Sequence, residues 1–290
     1  MRAKPAAMVF LKILILTAMM FASMAIAAWL AGVQPTSSAN TSNAWFTILA
    51  CFLNSSVIYL ALINTGWHGV KVIFTLFILI FGIQTVMAQL EAIFFNAALS
   101  IPQSYIFGYF TAGAISAAIF SPFAAFLTDK LRRRTFPSEF SFHIENPRYN
   151  FLFEMLGLSL IYTVFYFVFG YLIAWQYPAV RHFYSSSSDL QAFMPHMINT
   201  ISHNPWLFPF QILRGFFWSS LALLASFMIR GERWVTIIGV ALLLSVLYAA
   251  NLLIPNPYMP GAVRTALFIE IMLSNFLFGS IAGLVYSRAD

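Results

Sequence analysis

The chain has 290 residues, of which 61% are hydrophobic and 8% are charged, and it carries a formal net charge of +6. Soluble domains average about 25% charged and about 45–50% apolar residues, and a soluble fold of this length has too small an interior to bury such an apolar excess. The composition therefore excludes a soluble globular domain and predicts an all-α integral membrane protein. The single cysteine, Cys51, excludes an intramolecular disulfide framework and a cysteine metal cluster.

Eight stretches of the sequence are long and apolar enough to cross a bilayer, which takes about 20 residues of helix. Breaker residues separate them, among them Gln34-Pro35 and the Pro255-Asn256-Pro257 stretch. We therefore predict about eight transmembrane helices in a single transmembrane domain. In chain order they are spans one to eight, at roughly 9–33, 44–64, 71–95, 104–128, 151–174, 206–229, 234–254 and 263–286.

Lysine and arginine are distributed unevenly between the two sides of the membrane on which the predicted spans end. Twelve of the 15 lie at the ends that share a side with the N-terminus. Because basic residues stay preferentially on the cytoplasmic side, this bias predicts cytoplasmic N- and C-termini in a plasma (inner) membrane. The same bias explains the positive net charge, because the basic residues set the orientation of the chain in the bilayer. Binding to nucleic acid is not needed to explain that charge. The twelve residues are Arg2, Lys4, Lys12, Lys71, Lys130, Arg132, Arg133, Arg134, Arg148, Arg230, Arg233 and Arg288.

The longest predicted cytoplasmic segment, the basic loop 129–150, divides the chain into two halves, 1–128 and 151–290, with four spans each. This layout is typical of transporters built from a parallel repeat. Local similarities between the halves exist, but their spacing does not continue along the chain. The sequence therefore leaves a 4+4 repeat open.

The longest predicted outer segment, 175–205, contains apolar residues at helical spacing. Leu190, Phe193, Met197 and Ile201 recur every three or four positions. Such a pattern outside the spans is typical of a short amphipathic helix at the membrane surface. We therefore predict one interfacial helix on the outer side.

Small residues mark expected contacts between helices. Gly279 and Gly283 form a small-xxx-small motif in span eight. In lipid, helices associate through close backbone approach at such residues. We expect this motif to pack against another span of the same chain, with dimerisation as the alternative.

A few polar residues fall inside the spans, where ionisable groups are costly and usually face a cavity, a partner or a pathway. Arg214 lies eight residues into span six, roughly 12 Å below its outer end at about 1.5 Å per residue. Most of the others also fall in the outer half of the membrane. The candidate pocket residues are Gln84, Glu91, Gln211, Arg214, Asn251, Glu270 and Asn275.

These residues have two interpretations. In the functional one, spans three, six, seven and eight line a polar pocket open to the outside, and Arg214 pairs with Glu270 or Glu91. One carboxylate then binds a cation or exchanges a proton, while the arginine holds an anionic group of a substrate. In the structural one, Arg214 and Glu270 form an ion pair that locks two helices, and Glu91 is hydrated at the membrane interface.

The sequence gives little support for a metal site or a cofactor site. All five histidines lie outside the hydrocarbon core or at its edge, so axial ligands for a haem within the bundle are lacking. One outer cluster combines thioether and imidazole side chains, a soft set that suits copper(I). Its residues, a weak candidate metal site, are Met194, His196, Met197 and His203. We expect no cofactor.

Three functional hypotheses follow. The leading one is a secondary transporter or channel-like protein that moves a small molecule or ion through the polar pocket. The second is an intramembrane enzyme that acts on a lipid-linked substrate at the outer leaflet, with Glu91 and Glu270 as acid and base. The third is a non-catalytic accessory or assembly subunit that binds other membrane subunits. No nucleophile elbow, phosphate-binding loop or dinucleotide fingerprint occurs in the sequence, so we favour a protein that is not an enzyme.

Overall fold

The structure, a computed structural model, describes residues 6–33, 41–131 and 151–287. Within these ranges it is helical, with no strand and two isolated bridge pairs. Eight of the described helices are long and apolar enough to cross a membrane, the number that the sequence predicts, and each boundary lies within three residues of the prediction. The eight are Ala6–Leu30, Ala44–Ile63, Val70–Phe94, Gln103–Leu127, Phe151–Gln176, Leu207–Met228, Arg233–Leu253 and Gly261–Tyr286.

Local sequence explains where the spans begin and where they depart from α-helix. Pro102 and Pro260 stand at the N-caps of spans four and eight, where a residue without an N–H group loses no helical hydrogen bond. Span three contains a π-helical turn, Phe81–Val86. Spans five and seven end in the 3-10 turns Ala174–Gln176 and Ala250–Leu253, which tighten the last turn of each helix.

The spans alternate in direction. Lys12 near the start of span one donates to the Leu127 carbonyl at the end of span four, at 2.8 Å. At the start of span seven, Arg233 donates to the Ser287 hydroxyl just after span eight, at 3.2 Å. We call the end of the bundle where span one begins and span eight ends the terminal face, and the other end the opposite face.

The described members of the predicted cytoplasmic basic set all lie at the terminal face, at the matching span ends. Arg181 and Arg264, which are not in that set, lie at the opposite face. The other seven members and His143 fall outside the described residues, as does most of the basic loop 129–150. The described members are Lys12, Lys71, Lys130, Arg230 and Arg233.

Span seven forms the centre of the bundle. In its most apolar stretch 72% of residues are buried within the protein, against 22% in spans one and five. Span eight packs along it through small residues, as the sequence predicts. A Cβ atom on Gly279 would lie 2.7 Å from the Ala241 Cα, and one on Gly283 would lie 2.9 Å from the Ile237 Cα. The motif therefore brings two backbones of the same chain into contact.

The segment between spans five and six forms two short surface helices, Pro178–Ser185 and Phe193–His203, where the sequence predicts one. The predicted repeat places Leu190 in the helix, but the second surface helix begins at Phe193, and Leu190 lies before it without regular secondary structure, half exposed. The first surface helix was missed because eight residues are too short a stretch to establish a helical period. Pro178 at its N-terminus starts it.

Candidate functional site

Side chains of spans three, five, six, seven and eight enclose a small polar cavity in the half of the bundle nearer the opposite face. Its volume is about 20 Å³, room for about one water molecule. Arg214 and Glu270 lie seven and nine residues from the starts of their spans, so they are about 10 Å and 13 Å from that face. The lining residues are Glu91, Tyr162, Phe165, Tyr166, Arg214, Tyr248, Glu270, Ile271, Ser274 and Asn275.

Arg214 is held by groups from three spans. Its Nη2 donates to the Glu91 Oε2 at 2.9 Å and to the Tyr248 hydroxyl at 3.2 Å, and its Nη1 donates to the Gln211 Oε1 at 3.2 Å. Tyr248 in turn donates to the same Glu91 oxygen. Arg214 is 2% exposed, and a buried arginine persists only when its charge and donors are matched. Spans three, six and seven are thus joined at one charged centre.

The pair between Arg214 and Glu91 is made through one nitrogen, and its two members differ in exposure. The Glu91 side chain is 28% exposed, against 2% for Arg214. The Arg214 Nε has no hydrogen-bond partner. Two aromatic rings, those of Tyr162 and Phe210, lie 5.9 and 5.7 Å from the guanidinium carbon, within the range of cation–π attraction.

Glu270 faces the same cavity without a cationic partner. It is 7% exposed, and no lysine, arginine or histidine nitrogen of the described chain lies within 4.0 Å of its carboxylate. Among the described residues, the one hydrogen bond to its carboxylate comes from the Ser274 hydroxyl one turn later, at a long 3.4 Å. A bare carboxylate is very costly in such surroundings, so Glu270 needs a proton or another cation for neutrality.

The sequence allows Arg214 to pair with either Glu91 or Glu270, and the structure contains one of these two pairs. The partner of Arg214 is Glu91, at 2.9 Å, and the predicted lock between Arg214 and Glu270 is not formed. Because Glu91 already balances Arg214, the three groups together would carry one net negative charge when all are ionised.

Of the other predicted pocket residues, two lie at the cavity or its edge. Asn275 lines it and donates to the Leu244 carbonyl of span seven at 3.3 Å. Gln211 is fully buried and accepts from Arg214, so it positions the arginine. Its amide nitrogen has no partner.

Gln84 and Asn251 meet each other away from the cavity lining. The Asn251 Nδ2 donates to the Gln84 backbone carbonyl at 3.3 Å, and Gln84 belongs to the π-helical turn of span three. A π turn frees backbone carbonyls from the regular helical ladder, and Asn251 satisfies one of them. The contact therefore fixes the irregular turn that lies two helical turns before Glu91.

Sequence reasoning missed the tyrosines and the serine of the cavity. Tyr162 and Tyr166 are one turn apart in span five, and Ser274 is one turn after Glu270, so each adds to a polar face of its helix. Tyr248 carried no comparable signal because its carboxylate partner lies 157 positions away in the sequence.

The first surface helix covers the opposite end of the bundle near this site. Its Arg181, 6% exposed, donates to the carbonyls of Trp175 and Ser188 at 2.6 and 2.7 Å. Its Val180 packs in an apolar cluster with Val263 of span eight. Backbone carbonyls thus satisfy Arg181, which ties the surface segment together beside the start of span eight.

The candidate copper residues lie on the second surface helix. His196 stacks on Trp175 with 4.5 Å between ring centroids, and burial lowers the pKa of His196 below its usual value. His203 is hydrogen-bonded to the Asn199 carbonyl at 2.8 Å, and Met194 is exposed. In the described part of the chain, no three His, Cys, Asp or Glu residues are grouped for a metal, and copper binding with the thioether of Met197 stays a prediction.

Comparisons with known proteins give no family. The sequence matches no protein-family model, and neither curated proteins nor solved structures contain a significant match. A functional assignment therefore rests on the fold and on the geometry of the cavity.

Proposed function

We propose that the chain is a multi-pass protein of a plasma (inner) membrane that works as a cation-coupled secondary transporter. The eight apolar helices support membrane insertion. The basic residues of the terminal face support a cytoplasmic position for that face and for both termini. On this topology the cavity lies in the outer half of the membrane, close to the surface helices.

One observation carries the proposal: Glu270 is a buried carboxylate on the wall of a cavity, next to an arginine that another carboxylate already neutralises. Intramembrane carboxylates of this kind mark ion and proton pathways. A carboxylate that only locked helices together would be paired with Arg214, and Glu270 is not. It is therefore the group that takes up the coupling cation.

The Arg214 centre supplies a place for the substrate. An incoming carboxylate or phosphate group replaces Glu91 as the partner of Arg214, because a planar guanidinium presents several donors that suit the oxygens of both groups. Glu91 is the more exposed member of the pair and rehydrates when it leaves. The binding of the substrate and the binding of the cation are thus coupled, because both change the net charge of the same small cavity.

The cavity, at about 20 Å³, is too small for an organic substrate, which requires a pocket of about 300 Å³ or more. The structure therefore corresponds to a closed state of the transporter.

The experiment is electrical recording from proteoliposomes on a solid-supported membrane. Pools of small carboxylates, amino acids and inorganic phosphate are applied with an inward gradient of protons or sodium. We expect a transient current for at least one pool, dependent on the cation gradient and lost in Glu270→Gln. Glu154→Gln is the matched control, because Glu154 lies near the terminal face in the first turn of span five, and it should behave as wild type.

The absence of current for every pool, with protein that is folded and correctly inserted, would contradict the proposal.

The partial exposure of Glu91 favours the enzyme hypothesis as the second candidate, because an exposed carboxylate can reach a lipid-linked substrate. Chemical conversion of lipid-linked substrates by wild-type protein, abolished in Glu91→Gln, would support it instead. Gly279 and Gly283 give no support to the accessory-subunit hypothesis, because they contact span seven of the same chain and not a partner subunit.

A further inference from the structure

We propose that the Glu270 carboxylate, the Ser274 hydroxyl and the Asn275 amide oxygen hold one sodium ion. The site deepens the proposed function, on which its role as the coupling-ion site rests, by naming the ion and its ligands. All three residues lie within six consecutive positions of span eight, they line the cavity, and none is more than 7% exposed.

The separation of two oxygens agrees with a shared cation. The Ser274 Oγ lies 3.4 Å from the Glu270 Oε1, which is long for a hydrogen bond to a carboxylate, usually about 2.5–2.7 Å. Oxygen ligands of a hard cation stand about 2.4 Å from it, and neighbouring ligands in a near-octahedral shell are therefore about 3.4 Å apart. The two oxygens are thus spaced as an edge of such a shell.

Asn275 completes the oxygen set. Its Nδ2 donates to the Leu244 carbonyl of span seven at 3.3 Å. With the amide nitrogen directed to span seven, the amide oxygen is left for the cavity. An asparagine that only joined spans seven and eight would not need to line the cavity, as Asn275 does.

The charge of the cavity selects a monovalent ion. Glu91 and Arg214 neutralise each other at 2.9 Å, so the remaining charge is that of Glu270. One monovalent cation restores neutrality in a region where excess charge is costly, whereas Mg²⁺ or Ca²⁺ would leave an uncompensated positive charge beside Arg214.

Size and ligand type select sodium among the monovalent ions. A volume of about 20 Å³ accommodates one water-sized body, and potassium needs a wider shell of oxygens. A proton needs only the carboxylate, so it gives no role to the oxygens of Ser274 and Asn275. The combination of carboxylate, hydroxyl and amide oxygens is the set that hard cations prefer.

The test is equilibrium binding of ²²Na⁺ to the full-length protein in lipid nanodiscs, with Li⁺, K⁺ and choline as competitors. We expect one saturable site per chain that Li⁺ competes for and K⁺ and choline do not. Glu270→Gln should abolish binding, and Ser274→Ala should weaken it at least tenfold. Glu154→Gln should bind as wild type. Because Glu270→Gln removes a buried group, each variant is first checked for a single symmetric elution peak, and Ser274→Ala gives the decisive comparison if Glu270→Gln does not fold.

Three results would overturn the sodium site: no saturable ²²Na⁺ binding by wild type, undiminished binding in Glu270→Gln, or undiminished binding in Ser274→Ala. If binding is absent while proton-driven currents depend on Glu270, the coupling ion is a proton, and the transporter stands without the sodium site. If sodium binds as expected but no solute pool gives a current, the sodium site stands and the proposed transport function fails.

Discussion

Replacing Arg214 by methionine tests the charged centre directly. The change removes the guanidinium that Glu91, Gln211 and Tyr248 all contact, and it leaves the Glu91 carboxylate without its cation. Removing one partner of a buried ion pair typically costs about 3–5 kcal/mol. Because the Glu91 side chain is 28% exposed and regains water, we expect Arg214→Met to lower the free energy of unfolding by about 2–3 kcal/mol.

The matching change, Glu91→Gln, leaves Arg214, 2% exposed, as a buried charge with only neutral partners, and we expect a larger loss of about 3–5 kcal/mol. Replacing both members of a buried pair is often close to neutral. The double variant should therefore be less destabilised than the two single losses predict together, with a coupling energy of about 1–3 kcal/mol. A double-mutant cycle of Arg214→Met with Glu270→Gln, in place of Glu91→Gln, should give a clearly smaller coupling energy, since Glu270 is not the ion-pair partner.

Reversible unfolding by SDS in bicelles, followed by tryptophan fluorescence, measures these free energies. Trp218 is fully buried and its ring centroid lies 5.3 Å from that of Tyr248, so it reports on this region. Arg214→Met with wild-type stability would refute the buried pair. A larger coupling of Arg214 with Glu270 than with Glu91 would show that the lock predicted from the sequence is the true arrangement.

Three further predictions concern the packing of span eight on span seven, the pH dependence of the second surface helix and the Tyr248 hydroxyl. Gly279→Leu should destabilise the protein by at least about 1–3 kcal/mol, because its Cβ would meet the Ala241 backbone at 2.7 Å, whereas Gly170→Leu, with open space around it, should not. Since burial lowers the pKa of His196, packing of the second surface helix is strongest above about pH 6.5 and weakens as the pH falls below it; amide protection factors there, corrected for the intrinsic exchange rate at each pH, should be smaller at pH 5.5 than at pH 7.5, and His196→Phe should remove the difference. Tyr248→Phe should cost about 0.5–1.5 kcal/mol in the SDS titration, and no loss would contradict its hydrogen bond to the ion pair.

The spans could be predicted closely because their signal is strong and local. A run of about 20 apolar residues bounded by Pro, Gly or Asn leaves few alternatives in a bilayer. Gly279 and Gly283 were also predictable as a contact, since close approach in lipid requires small residues. The first surface helix was not predicted because it is only eight residues long, and the π turn at Phe81–Val86 was not because its contact with Asn251 joins two distant spans.

The site was predictable as a set of residues but not as an arrangement. Buried charge identifies Glu91, Arg214 and Glu270 from the sequence alone. Their pairing depends on how spans three, six and eight are rotated, which hydropathy does not determine. Asn251 shows the same limit: its polarity suggested a pocket residue, yet it bonds to the Gln84 carbonyl, a backbone group that no sequence pattern exposes.

The central claim is that Glu270 takes up the cation that the protein moves. Counterflow of ²²Na⁺ into proteoliposomes preloaded with unlabelled sodium, with the solute pool that gives a current present on both sides, measures this directly. We predict label accumulation well above that of protein-free vesicles in wild type and in Glu154→Gln, and none above that background in Glu270→Gln. Accumulation by Glu270→Gln equal to that of wild type would contradict the account. So would the absence, in wild type, of both ²²Na⁺ accumulation and a proton-driven current.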